Sequence, residues 1–190
     1  MSEDRIRLIA AESLALKQRF FETNTALLAR CAAEISSRMR AGAKVLVFGN
    51  GGSAADAQHF ATELAGRFLR ERAALPVLAL TADTAALTAI ANDYGYEHVF
   101  ARQVEAHGRK DDVAIGISTS GQSANVVRAL EVARRRGLFT VGLTGRGGAT
   151  VATLADILID VPHQETPRIQ EVHGMVVHIL CELIEESLSA

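Results

Sequence analysis

Little in this sequence is basic in excess, rich in sulfur or continuously apolar. Lys and Arg number 20 against 22 Asp and Glu, a formal charge of -2 over 190 residues. A protein that binds nucleic acid by neutralising phosphates carries a basic surplus or a basic stripe, and neither is present. The one dense basic run, Arg134-Arg135-Arg136, falls near the end of a predicted helix, where cations complement the helix dipole. There are two cysteines, Cys31 and Cys181, each within a helical apolar pattern and far from the other. They form neither a disulfide framework nor a CxxC metal motif, and their expected role is that of small buried hydrophobes. No run of about 18 apolar residues predicts a membrane span. Met1 is followed by a charged, helix-forming segment and not by an apolar signal core, so the expected location is the cytoplasm. No internal repeat or low-complexity tract is visible.

What is present is a regular alternation. The length suits one compact α/β domain, and 48% hydrophobic residues supply a core. Residues 4 to 40 read as helix, with Thr23-Asn24-Thr25 as a predicted break into two. Short apolar strands are predicted at Lys44–Phe48, Val77–Leu80, Val113–Ser118, Thr140–Thr144 and Ile157–Val161. Helices are predicted at Ser53–Leu69, over 84–106 with an interruption at 92–95, at Gln122–Arg136 and at Pro167–Leu188. Strands that are apolar throughout and alternate with helices indicate a parallel sheet covered on both faces. The right-handed crossover rule then favours a doubly wound three-layer sandwich with a five-stranded parallel sheet, preceded by N-terminal helices. Ligands in such folds bind beyond the carboxyl ends of the strands.

Two unusual loops follow strands. Gly49-Asn50-Gly51-Gly52-Ser53 leads into a helix whose free N–H groups and positive end suit an anion. It lacks the Lys of a Walker A loop and the third Gly of a dinucleotide fingerprint. Ser118-Thr119-Ser120-Gly121-Gln122-Ser123 holds four hydroxyls in six residues at a helix start. Capping alone needs only one of them. With no Lys or Arg beside it in the chain, this neutral cradle suits a phosphomonoester better than a nucleoside triphosphate. Elsewhere, His59 and Glu63 are four apart on a predicted helix, so they share a face and can jointly hold a metal; an ordinary exposed hydrogen-bonded pair has the same spacing. The closing helix contributes Arg168, Gln170, Glu171, His173 and His178. Spacing does not choose among these. Glu171 and His178 share a face, whereas Gln170 is rotated roughly 80° from His178.

The segment Ser118 to Val126 resembles the signature loop of SIS (sugar isomerase) domains, which grip the phosphate of a phosphosugar. Gly49 to His59 is similar to the opening motif of phosphoheptose isomerases, and Pro167 to His173 followed by His178 is similar to their closing helix. The likeness spans the whole chain. It implies a single SIS domain, with residues 1–41 serving oligomerisation and 42–190 forming the sugar-phosphate-binding core. It also implies conversion of sedoheptulose 7-phosphate to D-glycero-D-manno-heptose 7-phosphate through an enediol, the first step of nucleotide-activated heptose biosynthesis. The phosphate-side residues it implies are Ser53, Ser118, Thr119, Ser120 and Ser123. The wider substrate set adds Asn50, Gly51, Gly52, Glu63, Arg67, Gln170 and the sugar-facing Asn92 and Asp93. The implied zinc ligands are His59, Glu63, Gln170 and His178, with Glu63 and His178 as the acid–base pair, in a homotetramer with sites at subunit interfaces. A zinc-bound carboxylate is a weaker base, so Glu63 carries two roles that pull against each other.

Three other members of the same fold class fit less well. A non-catalytic branch serves as a tetrameric protein-binding scaffold associated with a replication initiator, but it is expected to lack Glu63 and His178. Phosphosugar-sensing regulators carry an added DNA-binding domain, for which 190 residues leave no room. Isomerases of arabinose 5-phosphate or hexulose 6-phosphate do not match the closing Gln170 and His178 pattern.

Overall fold

The computed structural model describes residues 2–189. Five parallel strands lie in the order β2-β1-β3-β4-β5, with β1 at Val45–Gly49, β2 at Val77–Ala79, β3 at Val113–Ser118, β4 at Phe139–Gly145 and β5 at Ile157–Val161. Between them run α2 (Gly52–Ala65), α3 (Thr84–Tyr94), a 3-10 turn (Tyr96–His98), α4 (Ala101–His107), α5 (Ala124–Arg135) and a short α6 (Ala149–Ala152). The chain opens with α1 (Ser2–Arg40) and closes with α7 (Thr166–Leu188). The predicted α/β sandwich is the one observed, and the four-residue α6 is the element that the apolar pattern did not signal.

Pleating divides the strand residues between two cores. Val45, Val47, Val113, Ile115, Ile117, Val141, Leu143 and Ile159 point to α1, α2 and α7. Leu46, Phe48 and Ala114 point to the opposite layer, where Val126, Ala129 and Leu130 of α5 meet Val99, Phe100 and Val104. The centre of the sheet is narrow there because a Cβ on Gly116 would stand 3.0 Å from the side chains of Leu130 and Val126. β1 sits beside β2 on one flank and beside β3 on the other. The crossovers that follow β1 and β3 run in opposite directions, to β2 and to β4, so the loops after β1 and β3 open onto one crevice.

The expected break at Thr23-Asn24-Thr25 is absent: α1 is one helix of 39 residues. Thr23 donates its hydroxyl to the Arg19 and Phe20 carbonyls, and Asn24 donates its amide to Phe20 O at 2.8 Å. These side chains bond back onto the preceding turn and leave the ladder uninterrupted. Phe20 and Leu28 are buried on either side of the site. The expected helix to Leu69 stops at Ala65, because the N–H groups of Phe68, Leu69 and Arg70 turn instead to the Glu185 carboxylate. Over 84–106 the interruption falls at the end of the expected 92–95 stretch, at Gly95, whose φ of +92° ends α3.

His173 of α7 is completely buried, with Nε2 3.0 Å from Thr144 O at the end of β4. Burial lowers its pKa to about 4, only partly opposed by the bond to Thr144. The neutral ring donates from Nε2, and Nδ1 has no partner among the described residues. A base whose folded pKa is depressed keeps full stability above its ordinary value of 6.5 and loses it as pH falls toward 4, since only the unfolded chain takes up the proton. Unfolding free energies from urea denaturation should therefore fall by an amount on the order of 3 kcal/mol between pH 7 and pH 4. His173→Leu should flatten that dependence, and an equally steep profile in the variant would assign the loss to other groups.

Candidate functional site

Asn50, Gly51, Gly52 and Ser53 from the β1 loop meet Ile117, Ser118, Thr119 and Ser123 around the β3 loop, with Thr166 and Gln170 of α7 closing one side. The open cavity they line measures about 350 Å³. Gly51, with φ +57°, takes the conformation that lets the chain turn back into α2. Gly121, with φ +64°, is tighter still, since a Cβ there would run into the carbonyl of Gly148. Ser123 is the N-cap residue of α5 and Thr166 opens α7, so three helix N-termini, those of α2, α5 and α7, border the cavity. Such ends attract anions through free N–H groups and the helix dipole.

The hydroxyls form a connected set. Ser118 Oγ lies 2.9 Å from Ser123 Oγ and 3.5 Å from Ser120 Oγ, and Ser120 accepts the N–H of Gln122. Thr119 approaches Thr166 at 3.5 Å. The two loops are tied by a reciprocal amide pair. Asn50 Nδ2 donates to Asn125 Oδ1 at 2.8 Å, and Asn125 Nδ2 donates back to Asn50 Oδ1 at 2.9 Å. Asn125 was not among the expected site residues; a lone amide in the first turn of a predicted helix carries no signal until its partner is known. The lining is free of Lys and Arg, as the neutral cradle implied. Its edge is not: Arg146, from the loop after β4, reaches Thr166 Oγ1 at 3.4 Å.

A second group lies further along α2 and α7. His59 Nε2 is 3.1 Å from Glu63 Oε1 and 3.1 Å from His178 Nε2. One ligand atom from each residue fits within 4.8 Å of the others. Four ligands at zinc bond lengths stand about 3.3 Å apart, so imidazole, imidazole and carboxylate are both the right chemistry and the right spread. One turn earlier, Asp56 Oδ2 is buried without a partner among the described residues. Burial raises the Asp56 carboxyl above its ordinary value, with His59 opposing it. Gln170, the fourth expected ligand, presents its amide to Gly52, where a Cβ would stand 2.5 Å from Nε2. It is eight residues before His178, roughly 12 Å of helix rise. Asn92 and Asp93 bond to each other in the last turn of α3, exposed and outside the cavity lining. Arg67 is also exposed, 4.0 Å from Glu71.

Comparison with known proteins matches residues 10–145 to the SIS domain family. The phosphoheptose isomerase of Rhodospirillum rubrum is 54% identical over 161 residues, 85% of this chain and 86% of that protein. The chain belongs to the phosphoheptose isomerase family of SIS-domain proteins. Within the family, the phosphoheptose isomerase of Thermodesulfovibrio yellowstonii is 50% identical over 98% of this chain and 92% of its own length. The structure of the phosphoheptose isomerase from Neisseria gonorrhoeae superimposes with a TM-score of 0.93 at 43% identity, covering 98% of this chain and all of that one.

The amide pair between the loops makes a direct prediction. Asn125→Ala should cost about 1–3 kcal/mol in urea denaturation, because it strands the Asn50 amide. In a double-mutant cycle, Asn50→Ala should recover part of that loss, with a coupling of about 0.5–3 kcal/mol. A coupling near zero would show that the loops are held by other contacts.

Proposed function

We propose that the protein is an aldose–ketose isomerase that converts sedoheptulose 7-phosphate to an aldoheptose 7-phosphate. The observation that carries this reading is the placement of a neutral hydroxyl cradle at the head of two helices, α2 and α7, whose descending faces hold His59, Glu63 and His178. A substrate with a phosphate at one end and a ketose at the other needs both groups. Phosphate binding supplies positioning energy remote from the reacting carbons. Glu63 and His178 act as the acid–base pair. One removes the proton from C1 and the same proton equivalent is delivered to C2, while the other moves a proton between the two oxygens of the enediol. Glu63 has two carboxylate oxygens, and Oε1 is the one turned to His59.

His59, Glu63 and His178 would hold a zinc ion, which when bound would supply Lewis-acid polarisation of the substrate oxygens; Gln170, expected as the fourth ligand, faces Gly52 at the phosphate end and would have to turn away from it to join them. Ser53, Ser118, Thr119, Ser120 and Ser123 grip the phosphate, aided by Asn50, Gly51 and Gly52. Arg67, Asn92 and Asp93 contribute to the sugar site from a neighbouring subunit. That assignment rests on a homotetramer with sites at subunit interfaces, and what supports it is the apolar exposure of Ile6, Leu8 and Leu14 on α1, each more than half exposed in the single chain. No described helix is long and apolar enough to cross a membrane, and we assign the enzyme to the cytoplasm. A non-catalytic scaffold is not favoured, because both acid–base residues are present and lie together.

Incubation with sedoheptulose 7-phosphate should yield an aldoheptose 7-phosphate. Glu63→Gln and His178→Asn should each lower kcat by about 10²-fold or more in protein that melts like wild type. A chelator should depress kcat, and zinc should restore it. Near-wild-type rates in both variants would remove these residues from the mechanism, and full activity in excess chelator would remove the metal. For the assembly, light scattering at micromolar concentration should return four times the 20.3 kDa chain mass; a monomer mass would leave Arg67, Asn92 and Asp93 without a site to join.

A further inference from the structure

We propose that Arg72 and Glu185 form a clamp that sets the spacing between Glu63 and His178, so that both are positioning residues for the isomerisation. Glu185 lies seven residues after His178 on α7, on nearly the same face, and is 1% exposed. Its carboxylate accepts the backbone N–H groups of Phe68, Leu69 and Arg70 at 2.9, 2.7 and 2.9 Å. Arg72 Nε stands 3.1 Å from Glu185 Oε1 with both side chains buried. Burial disfavours the charge on Glu185, but the three N–H donors and Arg72 outweigh it and hold the carboxyl below its ordinary value.

The guanidinium then reaches the other helix. Arg72 Nη2 donates to the carbonyl of Glu63 itself at 3.0 Å, and Nη1 donates to the carbonyls of Leu64, Gly66 and Ala73. The C-terminal turn of α2 is therefore tied to α7 by a buried fork, beside the apolar packing of Leu64. The turn that Glu185 captures also carries Phe68, whose ring lies 5.6 Å from the His178 imidazole. One carboxylate thus fixes Glu63 by way of Arg72 and braces His178 by way of Phe68.

Capping a helix end does not require this arrangement. Water or a surface lysine satisfies terminal carbonyls, whereas a buried ion pair pays heavy desolvation and is a poor source of net stability. What a rigid, five-donor fork supplies is fixed geometry. In a proton-transfer site a displacement of about 1 Å can cost up to 10²-fold in rate.

The proposal rests on Glu63 and His178 being the acid–base pair, and the test separates the two ideas. Arg72→Lys keeps the charge and the stem but cannot span the four carbonyls; Glu185→Gln weakens the carboxylate's hold; Phe68→Leu leaves the ion pair intact and removes the brace. For Arg72→Lys and Phe68→Leu, kcat should fall about tenfold or more while KM changes less than twofold, because the phosphate cavity is at the other end of the helices. In carbon–proton spectra of the metal-free protein, the His178 ring signals should shift in Arg72→Lys and Glu185→Gln. Wild-type kcat in folded Arg72→Lys and Phe68→Leu, a loss confined to KM, or unmoved His178 signals would overturn the clamp. Should Glu63→Gln and His178→Asn retain activity, the acid–base reading fails, and the His178 signals still decide whether the clamp exists.

Discussion

The arrangement depends on α2 and α7 descending side by side from the same edge of the sheet. Both start where strands end, so both present N-termini upward, and Gly52 meets Gln170 at the top while His59 meets His178 lower down. Helices that run parallel keep their faces in step, seven residues of one against eight of the other. An anion held at the top is thereby referred to a fixed depth along the pair. The absence of a side chain at residue 52 is what lets the two helices close at the head. The buried aliphatic residues of α1 and α7, together with those of the central strands, support them from behind.

Electrostatically the molecule separates two tasks. The head of the helix pair offers dipoles, N–H groups and hydroxyls, which suit an anion without placing a full charge opposite it. Further along, titratable groups are concentrated, with His59, Glu63, His178 and the half-buried Asp56 within two turns. The lining of the cradle itself carries no formal cation. Arg146, the exception, stands at the rim and bonds to Thr166.

Much of this was legible beforehand for a physical reason. β3 and β5 were located to the residue because continuously apolar runs ended by polar or glycine residues have few other solutions. The serine loop declared itself through a density of hydroxyls that capping does not require. The misjudged features are tertiary in origin. Thr23 and Asn24 looked like breakers because their preference for caps is a local one, and the helix absorbs them by turning their polar groups onto the preceding carbonyls. The end of α2 is dictated by a carboxylate 120 residues away, and no local pattern encodes that. Asn125 and Phe68 gain their meaning from partners on other elements. Arg67, Asn92 and Asp93 lie outside the cavity lining of the single chain, and their place at the site was read from the sequence likeness alone.

Asn50 is followed by Gly51, a pairing unusually open to deamidation, because an unhindered glycine nitrogen can attack the preceding side-chain amide. Closure to a succinimide requires the Asn50 side-chain carbonyl carbon to swing onto the Gly51 nitrogen. The reciprocal bonds with Asn125 restrain it from doing so. Hydrolysis of that ring would leave an aspartate or isoaspartate facing Asn125 Oδ1 and bordering the phosphate cradle, with one donor lost and a negative charge gained where an anion must enter. The pair that joins the two loops is therefore also a chemical preservative, and the useful lifetime of the molecule is coupled to how firmly the β3 loop stays closed.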